Sequence, residues 1–297
     1  MNYIVHILTT LSIFGILSLS LDLLVGYAGL LALSHGAFFG IGAYATALLT
    51  KQGYWAGVAA LAGMMIAAAI SAFVALPSWR VRGVYLLIVS IAVQIVFTVV
   101  ATNWSELTNG TAGIPGIPPV RLFGHALLGV PYMLFCLLIL IGCAFVCWSL
   151  MRSPYGRALQ AMRDDEIACE ALGKNVAGMK ISIFALSGAL AAIAGSLYAH
   201  YITYVDPKSF DIELSILILL MVMVGGAGTL FGPLLGALAL TLLPEVFKFI
   251  DLPPGSAAAL RQLMYGFILI LLMMFRPQGF IGIGLSHGHA QDRMGRP

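Results

Sequence analysis

Long apolar runs separated by short polar ones fill almost the whole chain. Hydropathy marks nine of them, near residues 4–24, 31–50, 55–76, 84–102, 131–150, 178–200, 213–226, 229–247 and 261–276. Most are close to the roughly 20 residues that an α-helix needs to cross a hydrocarbon core of about 30 Å. Lipid offers backbone groups no partner, so a spanning segment must close its hydrogen bonds internally, as a helix does. The pattern predicts an all-α membrane protein, a polytopic helical bundle of about 8–10 transmembrane helices with Gly-broken or re-entrant segments. Residues 1–286 then form a single transmembrane domain and the polar residues 287–297 a disordered tail. Met1 to Tyr3 carries no positive charge and the first run leads on past Asp22 into further spans, which reads as a retained helix rather than a secretory signal.

One interruption is long and charged. Residues 152–180 hold five of the fifteen Lys and Arg residues and four of the twelve acidic ones. Ser153 before Pro154 is a helix start, with a capping hydroxyl and a proline at the position where its missing N–H costs nothing. Gly173 before Lys174 and Asn175 is a helix stop. Between them Ala158, Ala161, Met162, Ala168, Cys169 and Leu172 recur at helical spacing as an apolar stripe, while Arg157, Arg163, Asp164, Glu166 and Glu170 lie mostly off it. The pattern fits a helix that seats in another protein's groove, and equally a solvated loop helix. Putting this loop in the cytoplasm and alternating outward leaves ten Lys and Arg inside against Lys51, Arg121, Lys208, Lys248 and Arg261 outside. That bias agrees with the positive-inside rule and puts the N-terminus outside, or inside if 31–50 is re-entrant.

Composition sharpens the class. The chain is 61% hydrophobic and only 9% charged, with a mean hydropathy of +1.00, against roughly 25% charged residues in soluble proteins. Its 33 glycines suit helices that approach closely in lipid. Cys136, Cys143 and Cys147 share one helix face and read as apolar packing. No phosphate-loop motif, zinc-protease motif or paired-cysteine framework occurs, so neither catalysis, a cofactor nor a metal is expected, and a net charge of +3 gives no sign of nucleic acid.

A short echo links the two ends of the chain: Val25-Gly-Tyr-Ala-Gly29 recurs as Val224-Gly-Gly-Ala-Gly228. Gly-interrupted hydrophobic segments in corresponding halves point to the translocation site of transporters, because broken helices expose backbone groups there. Polar side chains inside spans are costly, and Asp22, Ser34, His35 and Gln94 are the ones offered. His35 faces a water-filled path or bonds between helices, Asp22 caps or snorkels at a span end, and Gln94 bridges helices. A zwitterion would be held by opened backbone groups without any charged side chain, and so would a small amide.

The run from Gly156-Arg157 through Arg163-Asp164-Asp165-Glu166, Ala168, Glu170 and Gly173 resembles the cytoplasmic coupling loop of ABC importer permeases, in its branched-chain amino acid (LivM-type) version. Gly26-Tyr-Ala-Gly29 with Ser34-His35-Gly36, Thr108-Asn-Gly110 with Gly113-Ile-Pro-Gly116, and Gly225-Gly226-Ala-Gly228 resemble further signatures of that family, in order, over about residues 22–280. Family members usually carry Asn at the position of Asp22 and often Gly at that of Asn109. The resemblance implies a multi-pass inner-membrane half-pore. It would pair with a homologous second permease, be driven by two cytoplasmic ATP-binding subunits, and be fed an amino acid by a periplasmic or extracellular substrate-binding protein. Gly156, Arg157, Arg163, Asp164, Asp165, Glu166, Ala168, Glu170 and Gly173 would then form the ATPase-coupling loop. Gly26, Gly29, Ser34, His35, Gln94, Thr108, Gly110, Gly225, Gly226 and Gly228 are the pathway candidates. The rivals are an ion-gradient-driven secondary transporter and an ABC permease for urea or short amides.

Overall fold

The computed structural model describes residues 2–79, 84–122, 125–247 and 266. Its first helix, α1 (Asn2–Asp22), runs into one wider π-helical turn at Leu23–Tyr27 and then loses helical form until residue 35. There follow α2 (His35–Lys51), α3 (Ala56–Ala75), α4 (Val84–Asn103) and the single turn α5 (Ser105–Thr108). After an irregular segment come α6 (Val130–Arg152), α7 (Pro154–Asp164), α8 (Glu166–Ala171) and α9 (Val176–Ile202). The described part closes with α10 (Ile212–Gly225) and α11 (Gly232–Phe247). Four two-residue strands serve as clasps: β1 (Ile114–Pro115) pairs antiparallel with β4 (Tyr204–Val205), and β2 (Arg121–Leu122) with β3 (His125–Ala126). The predicted span 261–276 and the tail 287–297 lie outside the described residues.

Among the described residues five helices, Tyr3–Tyr27, Ala56–Ala75, Tyr85–Asn103, Val130–Arg152 and Val176–Ile202, are long and apolar enough to cross a membrane. The other three that fall on predicted spans are shorter, at 17, 14 and 16 residues for α2, α10 and α11. At 1.5 Å per residue they reach about 21–26 Å, less than the hydrocarbon thickness, so part of the crossing at each is irregular chain. Those irregular pieces carry the glycine motifs.

α9 is the central post, with α2, α3 and α1 packed around it. Their closeness comes from glycine. A Cβ at Gly195 of α9 would stand 2.0 Å from the Phe39 carbonyl oxygen, and one at Gly42 of α2 would stand 2.2 Å from that of Ala192. Only hydrogen fits there, so the two backbones touch, as small residues permit between helices in lipid. Phe39, Tyr44, Tyr198 and Phe210 extend the same seam as three tilted pairs and one edge-on pair. Cys136, Cys143 and Cys147 are buried free thiols on the inward face of α6. The other face of α6 exposes Leu134, Leu138, Ile141 and Phe145.

The bundle has two distinct ends. α7 and α8 lie at one end, the one the positive-inside bias predicts to face inward; at the other, His6 near the start of α1 meets the Tyr201 hydroxyl at 2.5 Å, beside the end of α9. The central seam yields a prediction. Gly195→Ala lowers stability by about 2–3 kcal/mol, since the overpacked atom meets backbone rather than a movable side chain. Gly142→Ala, where a Cβ meets nothing within 4 Å, leaves stability unchanged. Thermal denaturation of the detergent-solubilised variants reads the difference.

Candidate functional site

The charged loop begins as its sequence predicts, with the Ser153 hydroxyl accepting the Gly156 N–H at 3.2 Å. It departs from the predicted single helix at Asp165. That residue takes extended backbone (φ −152°, ψ 104°), and its Oδ1 accepts the Ala168 N–H at 3.0 Å, which starts α8. Aspartate competes with the helix for backbone donors and is a better cap than an interior residue, so the helix splits there. Gly173 ends α8 at φ +76°, the left-handed position that glycine adopts without strain, and Asn175 caps α9 by accepting the Gly178 N–H at 2.9 Å.

The split divides the apolar stripe between two surfaces. Met162 and Cys169 turn toward the bundle, with Leu159 beside them. Ala161, Ala168 and Leu172 face outward, joined by Ile167; Leu172 is 80% exposed and Ile167 66%. Arg157, Asp164, Asp165 and Glu170 flank that outward face, also exposed. Two charged residues turn inward instead. Glu166 Oε1 accepts from Lys180 Nζ at 2.6 Å, and Lys180 is only 2% exposed. Arg163 Nη1 donates to the Gly26 carbonyl at 2.7 Å, while its Nε donates to Asp164 Oδ1 at 3.1 Å. Tyr155 adds a third tie, its hydroxyl donating to the Met179 carbonyl at 3.1 Å, and burial raises its pKa above the usual phenol value.

Arg163 thereby reaches the glycine echo, whose two copies lie against each other. A Cβ at Gly26 would be 2.2 Å from the Gly228 nitrogen and 2.2 Å from Asp22 Oδ1. The Gly228 N–H donates to that same oxygen at 2.8 Å. Gly29, at φ +68°, leaves room for Arg163, whose Cγ would be 2.6 Å from a Cβ there. Asp22 is fully buried and is the acceptor that joins the break after α10 to the break after α1. Gly225 and Gly226 end α10 just before the contact. A cavity of about 270 Å³ opens beside it, lined by Gly29, Leu31, Arg163, Glu166 and Lys180 among others.

A second polar cluster lies deeper, level with Gln94 at the middle of α4. The first free N–H groups of α2 are taken by side chains: Gly36 donates to Ser215 Oγ at 2.9 Å and Ala37 to Gln94 Oε1 at 2.7 Å. Gln94 Nε2 donates to the Phe210 carbonyl at 2.7 Å, so the loop before α10 dips to this depth. His35 and Ser187 meet at 2.9 Å, and the Ser187 hydroxyl donates to the Ser20 carbonyl at 2.5 Å. His35 Nε2 therefore carries the proton and donates. Ser34, His35 and Gln94 are all fully buried. The helix N-terminus that could bind an anion is thus capped by the protein's own side chains.

Thr108 and Gly110 sit apart from both clusters, in the segment between α4 and α6. Thr108 Oγ1 lies 2.7 Å from both the Ala101 and the Trp104 carbonyl and shares its one proton between them. Asn109 takes φ +61°, a conformation in which Asn is the readiest substitute for Gly, and its amide donates to the Gly113 carbonyl at 2.8 Å. The Ser187, Ser215 and Lys180 partners carry no sequence signal, since a serine in an apolar helix looks the same whether it bonds its own turn or a neighbour.

Among known proteins, the family model described as "Branched-chain amino acid transport system / permease component" matches residues 3–273. An Escherichia coli (strain K12) relative, "High-affinity branched-chain amino acid transport system permease protein LivM", is 35% identical over 304 residues, spanning 93% of this chain and 69% of that protein. A Methanocaldococcus jannaschii relative, "Probable branched-chain amino acid transport permease protein LivM", is 26% identical over 318 residues, spanning 93% and 92%. The "Autoinducer 2 import system permease protein LsrC" of Escherichia coli (strain K12 / DH10B) is 27% identical over 176 residues, spanning 57% of this chain and 50% of that protein. No solved structure matches. With its apolar helices and a match along nearly its whole described length, the chain is a multi-pass membrane protein and belongs to the family of branched-chain amino acid transport permease components.

Proposed function

We propose that this permease component moves branched-chain or related amino acids across the inner membrane as half of an ATP-driven pore. A homologous permease forms the other half, two cytoplasmic ATP-binding subunits drive it, and a periplasmic or extracellular binding protein delivers the substrate. The carrying observation is the two-faced loop of α7 and α8. Ile167 and Leu172 stand exposed at the inner end, on helices whose opposite face is tied to the bundle by Arg163, Glu166 and Tyr155. An exposed apolar pair on a rigidly anchored short helix fits a partner's groove, with Arg157, Asp164, Asp165 and Glu170 setting its register. The chain itself carries no phosphate-loop motif, so the hydrolysis it depends on belongs to its partners.

Arg163 supplies the route from that surface to the pore. A push on α7 acts through the guanidinium on the Gly26 carbonyl, and through the Gly26–Gly228 contact on both broken spans at once. Gly156 has a matching role at the other end of α7, where a Cβ would be 2.4 Å from the Leu150 carbonyl oxygen and would pry the helix from α6. The α2 cap at Gln94 and Ser215 keeps the centre closed, and passage of a zwitterion requires the Gly36 and Ala37 N–H donors that they occupy to be handed over.

Three outcomes follow. Ile167→Asp with Leu172→Asp weakens retention of the ATP-binding subunits by roughly 30-fold or more, from about 2 kcal/mol of lost apolar burial. Co-purification from membranes with unchanged permease level measures it, and ATP-driven uptake at the unsubstituted rate would overturn the docking assignment. Arg163→Gln keeps the ATP-binding subunits bound but cuts uptake per ATP hydrolysed about tenfold, since a charge-assisted hydrogen bond contributes roughly 1.5–3 kcal/mol. Asp22→Asn retains the oxygen that accepts the Gly228 N–H and transports normally, whereas Asp22→Leu does not. Uptake into vesicles that continues with every nucleotide removed would sink the ATP-driven reading and favour an ion-gradient mechanism.

A further inference from the structure

We propose that the outer end of the bundle holds a phospholipid, its headgroup beside Arg121 and His200 and one acyl chain in an apolar slot between α3 and α6. Two cavities adjoin there. The first, about 400 Å³, is lined by Thr50, Tyr54, Pro118 and Arg121 among others. The second, about 350 Å³, runs between Gly57 and Ala60 of α3 and Phe135 and Ile139 of α6, floored by Ile193 and Leu197 of α9. Trp55, Ala56 and His200 line both.

His200 is the polar hinge between the two. It is 5% exposed, and its Nδ1 lies 2.8 Å from the Pro118 carbonyl. A carbonyl only accepts, so Nδ1 carries the proton and the neutral ring presents Nε2 as an acceptor. Nε2 has no partner among the described residues, although a buried polar atom of this kind is normally satisfied. The site therefore calls for a donor, such as a hydroxyl or an ammonium group. Arg121, on β2, is exposed at the rim and makes no ion pair among the described residues; its planar fork suits a phosphate.

The slot selects the tail. From His200 to Ile193 is seven residues of α9, about 10 Å along the axis and into the membrane. A leucine side chain fills less than half of that length, whereas an alkyl chain lies along all of it. Trp55 is exposed at the mouth, the place where an amphipathic ring sits at headgroup level. An anion, a hydrogen-bond donor and a long apolar tail on one molecule describe a phospholipid such as phosphatidylglycerol, whose glycerol hydroxyls can donate to Nε2.

The full-length protein in detergent, titrated with phosphatidylglycerol and read by native mass spectrometry, tests this. The unsubstituted protein retains one lipid. Arg121→Gln lowers its affinity roughly fivefold, the effect of one interfacial cation. Ala60→Phe fills the slot and abolishes retention. A brominated acyl chain quenches Trp55 fluorescence in the unsubstituted protein, and Trp55→Phe removes that quenching. Equal retention in all variants, no quenching, or displacement of the lipid by millimolar leucine would each overturn the proposal, the last by assigning the pocket to the transported solute.

Discussion

The contact between Gly26 and Gly228 governs the half of this protein that carries the charged loop. Two membrane spans lose their helical form at this point, and in lipid every backbone group freed by such a break must find a partner within the protein. Asp22 accepts the Gly228 N–H, Arg163 donates to the Gly26 carbonyl, and the absence of side chains at both glycines brings the two breaks together. Each of these devices satisfies a group that would otherwise destabilise the fold. Together they connect the first span, the span before the last described helix, and the charged loop of α7 and α8.

That arrangement explains why the loop is built as it is. Its apolar residues are too many for a helix that merely floats in water and too few for one buried on all sides. The break at Asp165 rotates α8 against α7, so that Met162 and Cys169 seal the bundle while Ile167 and Leu172 remain outside. The Lys180–Glu166 pair, buried at its lysine end, fixes α8 to the foot of α9. A buried ion pair is a poor source of net stability, but removing one partner leaves an unpaired charge, so the pair holds α8 in one position.

In the centre, Gln94 performs the corresponding task. One amide accepts from Ala37, accepts from Ser215 and donates to the Phe210 carbonyl, which closes the N-terminus of α2 and fixes how deep the loop before α10 penetrates. The groups around Gln94 satisfy one another, while Ser34 Oγ, His35 Nδ1 and Asp22 Oδ2 stay buried without a partner among the described residues. Opening the path therefore means exchanging these hydrogen bonds for bonds to a solute, a change that costs little if it is concerted and much if it is not.

Much of the molecule was legible in one dimension. Helical class, the approximate spans, the cap at Ser153 and the stop at Gly173 are local properties, set by hydropathy and by backbone preferences over a few residues. The echo at 25–29 and 224–228 was visible as well. What the sequence could not supply was pairing. That Gly26 meets Gly228, that Arg163 points inward while Asp164 points out, and that Ser187 and Ser215 complete the polar centre depend on contacts between residues up to about 200 positions apart. In an apolar chain a serine, a glycine or an arginine has the same local signature wherever it faces. Only the packing of helices around α9 decides which of them touch.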